Sequence, residues 1–161
     1  MSAEGFQVRV AEAGDLAGVV ALERAVAEAP HWAEAEYAAM MHGDSAVERC
    51  LFIAEADGRL VGFAVGKVID SGVQGIAELE SVVVEAAARR GGVGRALCLA
   101  VTDWCGRRGA AVLELEVRAG SGGAIALYEG IGFVVSGRRK EYYRGPVEDA
   151  LLMRLNLSGI D

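Results

Sequence analysis

The chain is predicted to fold as an α/β domain built on a mixed sheet, and three observations lead there. Short β-branched or alternating apolar runs recur, as in Val82-Val83-Val84 and Val112–Val117. A glycine-rich turn, Arg89–Gly94, joins the first of these runs to an amphipathic helix. Asp57-Gly58 separates two further apolar runs, the signal for a tight hairpin between strands.

The elements follow in order. Phe6-Gln7-Val8-Arg9-Val10 alternates and reads as the opening strand. Asp15 is expected to cap a helix whose apolar face carries Leu16, Val19, Val20, Leu22 and Val26, with Glu23 beside them. Pro30 breaks that helix, and His31-Trp32 leads a second amphipathic segment through Tyr37, Met40 and Met41. Strands Cys50–Glu55 and Leu60–Ile69 flank the Asp57-Gly58 turn. Another turn, at Ser71-Gly72 and Gln74-Gly75, precedes strand Ile76–Val84.

The helix after the glycine turn shows Ala96, Leu97, Leu99, Ala100, Val101 and Trp104 on one face, and Gly106 and Gly109 bracket its end. Ala111–Val117 is a strictly alternating strand. Ser121–Tyr128 starts a short helix that Gly130 and Gly132 close. Phe133-Val134-Val135 begins a further strand, and Asp149–Leu157 forms the last. The order β-α-α-β-β-β-α-β-α-β-β gives early hairpins and then β-α-β crossovers, one domain over residues 1–161.

Composition narrows the function classes. With 53% hydrophobic residues and a mean hydropathy of +0.29, the chain buries a core and is not disordered. No apolar run reaches membrane-spanning length, and Met1–Gly5 lacks a signal peptide's basic start and apolar centre. A formal charge of −7 argues against nucleic-acid binding, where basic stripes supply most affinity. It suits a cationic partner such as an amine or a basic protein, and equally an ordinary acidic surface. Cys50, Cys98 and Cys105 are odd in number and apolar in setting, and His31 and His42 are the only histidines, so no metal site is expected. A cytoplasmic location is expected.

Chemistry concentrates at Arg89-Arg90-Gly91-Gly92-Val93-Gly94. A glycine turn feeding a helix N-terminus leaves backbone N–H groups unpaired at the positive end of the helix dipole, an anion site suited to a pyrophosphate. Arg89, Arg90 and Arg95 add charge around it. The plain alternative is a turn whose glycines only permit a bend. No Gly-Lys-Ser/Thr is present, so this is not a P-loop, and the glycine frame fails the dinucleotide fingerprint.

Three stretches taken together carry a family resemblance. They are Val82–Val84 with Arg89-x-x-Gly92-x-Gly94, then Leu115-Glu116-Val117-Arg118-Ala119, then Ala124-Ile125-Ala126-Leu127-Tyr128-Glu129-Gly130-Ile131-Gly132-Phe133. With the tail Glu141-Tyr142-Tyr143, Glu148-Asp149-Ala150 and Met153, the chain resembles the GCN5-related N-acetyltransferase (GNAT) superfamily. Within it, the likeness is to the bacterial ribosomal-protein-alanine N-acetyltransferases, the RimI-like group. The resemblance implies the GNAT fold: a central mixed sheet of about seven strands with four helices, two strands splaying apart to form an acetyl-CoA cleft.

It implies acetyl-CoA as cosubstrate, its pantetheine along Val82, Val83 and Val84 and its pyrophosphate at Arg89, Arg90, Gly91, Gly92, Val93 and Gly94. An α-amine, with a pKa of about 7.7–8.0, must lose a proton before attack, and the leaving thiolate gains from a proton donor. The resemblance gives the base role to Glu116 and the acid role to Tyr128. Glu78 is the rival base, because another branch of the superfamily uses a glutamate near that end of the same strand; Glu80 shares its face.

Ser121 stands where the family commonly has asparagine; it can cap the next helix and reach the cofactor with a shorter arm, and Gly122-Gly123 loosen that first turn. Trp32, Tyr142 and Tyr143 are candidates to frame a peptide N-terminus, although adjacent strand tyrosines should point to opposite faces. Glu23 could pair with the acceptor ammonium, against the alternative of a solvated helix carboxylate. The acceptor that the resemblance implies is a protein or peptide N-terminus, such as that of a ribosomal protein. The alternatives are a small amine, polyamine or lysine acceptor, or a non-catalytic acetyl-CoA sensor, in a monomer or homodimer.

Overall fold

The computed structural model describes residues 5–26, 32–42, 48–70, 75–144 and 146–157. The expected break at Pro30, the lead residue His31 and the turn through Ser71, Gly72 and Gln74 lie outside the described residues. The elements are β1 (Gln7–Val10), α1 (Leu16–Ala25), α2 (Glu34–His42), β2 (Glu48–Ala56), β3 (Arg59–Asp70) and β4 (Ile76–Val84). They continue as α3 (Val93–Arg107), β5 (Val112–Arg118), α4 (Gly122–Ile131), β6 (Val134–Tyr143) and β7 (Glu148–Asn156). This is the order read from the sequence.

The strands form one seven-stranded sheet, β1-β2-β3-β4-β5-β7-β6. Only the β4–β5 pair is parallel. The β2–β3 hairpin closes on Asp57 (φ 53°) and Gly58 (φ 74°), with Ala56 opposite Arg59, the two-residue turn that Asp-Gly favours. Asp15 departs from expectation. Its carboxylate does not bond the first amides of α1; Oδ2 accepts the Glu12 N–H at 2.7 Å and Nη1 of Arg9 at 2.8 Å, closing the short turn ahead of the helix. The Arg9 contact holds the Asp15 carboxyl below its ordinary value.

Period-2 alternation divides the core between the two sheet faces. Leu51, Ile53, Phe63, Val65 and Val83 pack with Val19 of α1 and Tyr37 of α2. Cys50, Ala54, Ala64, Leu79, Leu113, Leu115 and Met153 pack with Leu97, Cys98 and Val101 of α3. Small residues on β3 let α3 sit close: a Cβ on Gly66 would lie 2.5 Å from Val101 Cγ1, and one on Gly62 3.1 Å from Leu97 Cδ1. The buried stripe of α3 is Val93, Leu97, Cys98, Val101 and Cys105. Leu99, expected on that stripe, is instead exposed, because it falls about 100° around the helix from Cys98.

Candidate active site

The site begins where the sheet comes apart. β4 and β5 pair only at Ile76–Val112, Ala77–Leu113 and Glu78–Glu114, and beyond Glu78 they diverge. On its other side β4 stays bonded to β3 as far as Val84, with a register shift that leaves Glu80 as an extra residue between Leu79 and Ser81. A bulge bends a strand and increases its twist, which accounts for the divergence. The second half of β4 is thereby left with a free edge facing the cleft. Val82, Val83 and Val84 lie on that edge; Val83 is buried toward α1 and α2, whereas Val82 and Val84 pack toward α3.

The free edge leads into the glycine turn. Arg90 (φ 72°) and Gly92 (φ 89°) both adopt left-handed backbone, an unusual state for the arginine. The first helix amide to find a carbonyl is Ala96, to Gly92 O at 3.0 Å; the amides of Arg90, Gly91, Gly92, Val93, Gly94 and Arg95 find no backbone acceptor among the described residues. Gly94 keeps the turn slim against α4 and β4, since a Cβ there would reach Leu127 Cδ2 at 3.4 Å and Val84 Cγ2 at 3.7 Å. Arg89, Arg90 and Arg95 have no ion-pair partner among the described residues, although Arg89 Nε donates to Val84 O at 3.1 Å. Six free amides and three unneutralised cations in an acidic chain are what an anion of phosphate type requires.

Tyr128 and Glu116 lie on opposite faces near the open end. Tyr128, on α4, packs on the α3 side of the core with its ring 5.8 Å from that of Phe133, and burial pushes its phenol up. Leu115 and Val117 point into the same core, so Glu116 between them faces the opposite way. There Arg139 Nε holds Glu116 Oε2 at 2.8 Å, and Oε1 has no hydrogen-bond partner among the described residues. Glu78 shares this face with Glu80. Lys67 Nζ bridges them, at 3.5 Å from Glu78 and 3.1 Å from Glu80. Burial pushes the Glu78 carboxyl up, against the opposing pull of Lys67.

The three aromatic candidates fall in two groups. Trp32 lies 5.7 Å from Tyr37 and lines a cavity of about 240 Å³ with Glu36, Met40, Arg49 and Glu80. Arg49 closes its floor through Glu80, Nε to Oε1 at 2.9 Å. Tyr142 and Tyr143 do not point to opposite faces. Glu141 (φ 51°) breaks the alternation of β6, and the two rings meet edge to face at 5.2 Å. Asp149 Oδ1 fixes that bend by accepting the Glu141 N–H at 2.9 Å. Arg118 lies 4.3 Å over Tyr143, and Arg139 lies 5.5 Å over Tyr142.

Two further expectations change. Ser121 occupies the cap position of α4 through its carbonyl, which accepts the Ile125 N–H at 3.0 Å, but its hydroxyl caps no helix amide. Glu23 is neither solvated nor open to an acceptor. It is fully buried between α1 and α2, where Arg24 Nη1 donates to Oε1 at 2.5 Å and Tyr37 lies alongside. Sequence reasoning missed Lys67, Arg49, Arg139 and the role of Glu148, which bind the site from other strands. Their only sequence signal is an opposite charge on a neighbouring strand, unreadable before the register is known.

A parallel pair opens over a free strand edge beside an anion turn, and comparison with known proteins says which family shares this arrangement. Residues 19–133 match the family model described as acetyltransferase (GNAT) family. The ribosomal protein bS18-alanine N-acetyltransferase of Escherichia coli is 39% identical over 104 residues, 63% of this chain and 68% of that protein. The crystal structure of the Escherichia coli ribosomal-protein-S18-alanine N-acetyltransferase superposes with a TM-score of 0.80 at 31% identity, covering 97% of this chain and 96% of that one. The fold also matches yncA, a putative acetyltransferase from Salmonella typhimurium solved with acetyl-CoA, with a TM-score of 0.80 at 22% identity over 97% and 96% of the two chains. The chain belongs to the acetyltransferase (GNAT) family. Its activity class is N-acetyl transfer, and no helix of its described residues is long and apolar enough to cross a membrane.

Proposed function

We propose that the chain transfers the acetyl group of acetyl-CoA to the α-amine of a protein N-terminus, with an N-terminal alanine as first acceptor. The observation that carries this reading is the placement of Glu116 and Tyr128 on opposite faces at the open end of the β4–β5 split. The relative named for acetylating an alanine of ribosomal protein bS18 supports the choice of acceptor.

The chain's own groups fit the cosubstrate. The free edge at Val82–Val84 would pair with the pantetheine amides, and the amides from Arg90 to Gly94, with Arg89 and Arg90, would hold the pyrophosphate. Ser121 stands at the mouth. Acetyl-CoA supplies the acetyl thioester when bound. Glu116 Oε1 receives the proton from the acceptor ammonium, directly or through one water, while Trp32, Tyr142 and Tyr143 frame the peptide. As the amine nitrogen bonds the thioester carbonyl carbon and the C–S bond breaks, Tyr128 on the other face, held protonated by burial, would give its proton to the sulfur, and the surplus N–H proton of the new amide would restore the phenol through solvent.

Glu78 gives a second reading. Its raised carboxyl and its place at the last β4–β5 pair suit a general base, and a requirement for Glu78 in place of Glu116 would favour a lysine or small-amine acceptor. The test is CoA release with four acceptors: a peptide with a free N-terminal alanine, the same peptide blocked at its α-amine, a lysine peptide, and spermidine. Turnover with the free N-terminus alone is expected. Turnover with lysine or spermidine alone would overturn the acceptor assignment.

A further inference from the structure

Glu148 opens β7 and holds the end of β5, the strand beside it, and the turn that follows. Its Oε2 accepts the Gly120 N–H at 2.6 Å, and its Oε1 lies 3.3 Å from Arg118 Nη1. These partners span the turn from β5 into α4, the helix that carries Tyr128. The same turn is bonded to β7 once more, by Ala119 N–H to Asp149 O at 2.9 Å, and it folds on itself through Ser121 N–H to Arg118 O at 3.0 Å. The neighbouring Asp149 side chain turns outward to the Glu141 bend. Adjacent carboxylates at the start of β7 therefore each hold one feature on the β5 side of the split, Glu148 the α4 turn and Asp149 the bend before the tyrosine pair.

Gly120 is shaped to this contact. Its backbone is not left-handed, so an alanine would be tolerated on conformational grounds. Yet a Cβ there would stand 2.5 Å from Glu148 Oε2. The glycine leaves room for the carboxylate to reach the amide. A half-buried carboxylate bonded to one amide and one guanidinium is a stiff link. Nothing else from β7 reaches the Gly120 amide among the described residues.

We infer that Glu148 is a positioning residue: through the Gly120 amide it fixes the start of α4 and so the reach of the Tyr128 phenol into the cleft. This rests on the acid role proposed for Tyr128, and displacements of a fraction of an ångström at a proton donor are enough to slow a reaction. Because the amide contact is the latch, a neutral acceptor at position 148 preserves it and loss of the side chain does not.

The test is a set of variants read by kcat, by KM for acceptor and for acetyl-CoA, and by melting temperature. Glu148→Ala is expected to lower kcat about tenfold with little change in acceptor KM, and Glu148→Gln to restore most of it. In a Tyr128→Phe background, Glu148→Ala is expected to cost about threefold or less, since both changes act on one group. Gly120→Ala is expected to slow the wild type but to cost nothing further beside Glu148→Ala, where the obstructing carboxylate is gone. Wild-type kcat in Glu148→Ala, or a full tenfold loss on top of Tyr128→Phe, would overturn the inference. So would an equal cost of Gly120→Ala in both backgrounds. A silent Tyr128→Phe would sink the acid role instead, and the Gly120–Glu148 cycle would still decide whether the latch exists.

Discussion

The two faces of the split sheet work with different materials. On the α3–α4 face most side chains are apolar, and beside Tyr128 and the three arginines of the turn the polar groups are backbone: a free strand edge, and amides gathered at one helix start. On the α1–α2 face the polar groups are side chains, tied into pairs between strands: Glu116 with Arg139, Glu80 with Arg49 and Lys67, Arg118 with Glu148. On the function proposed above, a cosubstrate with a fixed phosphate and amide pattern would be met largely by backbone, and the acceptor would be met by side chains. Holding the donor would then be mainly a property of chain geometry, and choosing the acceptor a property of residue identity.

The contrast can be broken most severely at the two groups proposed to transfer protons. Glu116→Gln and Tyr128→Phe are each expected to lower kcat about a hundredfold or more, since positioned acids and bases contribute on that scale. Thermal melting should stay close to wild type in both, because neither change opens a cavity; steady-state kinetics beside melts checks the pair. Next come the small residues. Gly66→Ala forces a Cβ against Val101 at 2.5 Å on the α3 face, and a loss of about 1–3 kcal/mol is expected in denaturant unfolding.

Gly18, in α1 on the other face, should respond with the opposite sign. A Cβ there meets Leu60 at an ordinary 3.4 Å, so Gly18→Ala should gain roughly 0.5–1 kcal/mol from helix propensity in the same assay. The smallest effect concerns pH. Asp15 has its carboxyl lowered by Arg9, so its contribution to stability is present above the unfolded value of about 3.9 and is lost as pH falls through the lower folded value. Asp15→Asn should therefore weaken the fold at neutral pH and cease to matter in strong acid, as melts at the two pH values would record.

The turns and the order of elements were legible in the sequence, for a physical reason. Turns and helix starts are local, and Asp57-Gly58, Gly92 and Gly94 state their backbone requirements within a few residues. The order of all eleven elements followed from such local signals. The ion pairs of the α1–α2 face were not legible because their partners lie far apart in the chain: Glu116 and Arg139 are 23 residues apart, and Arg49 and Glu80 are 31 apart. Tyr142 and Tyr143 were misjudged because alternation assumes a regular strand, and Glu141 interrupts it. Leu99 was misjudged because an apolar residue on a helix need not face the core. One available signal went unused: the small residues Gly62, Ala64 and Gly66 at period 2 mark where α3 crowds the sheet.

The division of labour between the faces is tested most directly on Glu116→Gln, by measuring acetyl-CoA affinity and turnover of a free N-terminal-alanine peptide on one preparation. The account expects affinity within about twofold of wild type and kcat reduced about a hundredfold or more. Unchanged turnover, or a loss of acetyl-CoA affinity that accounts for the lost activity, would contradict it.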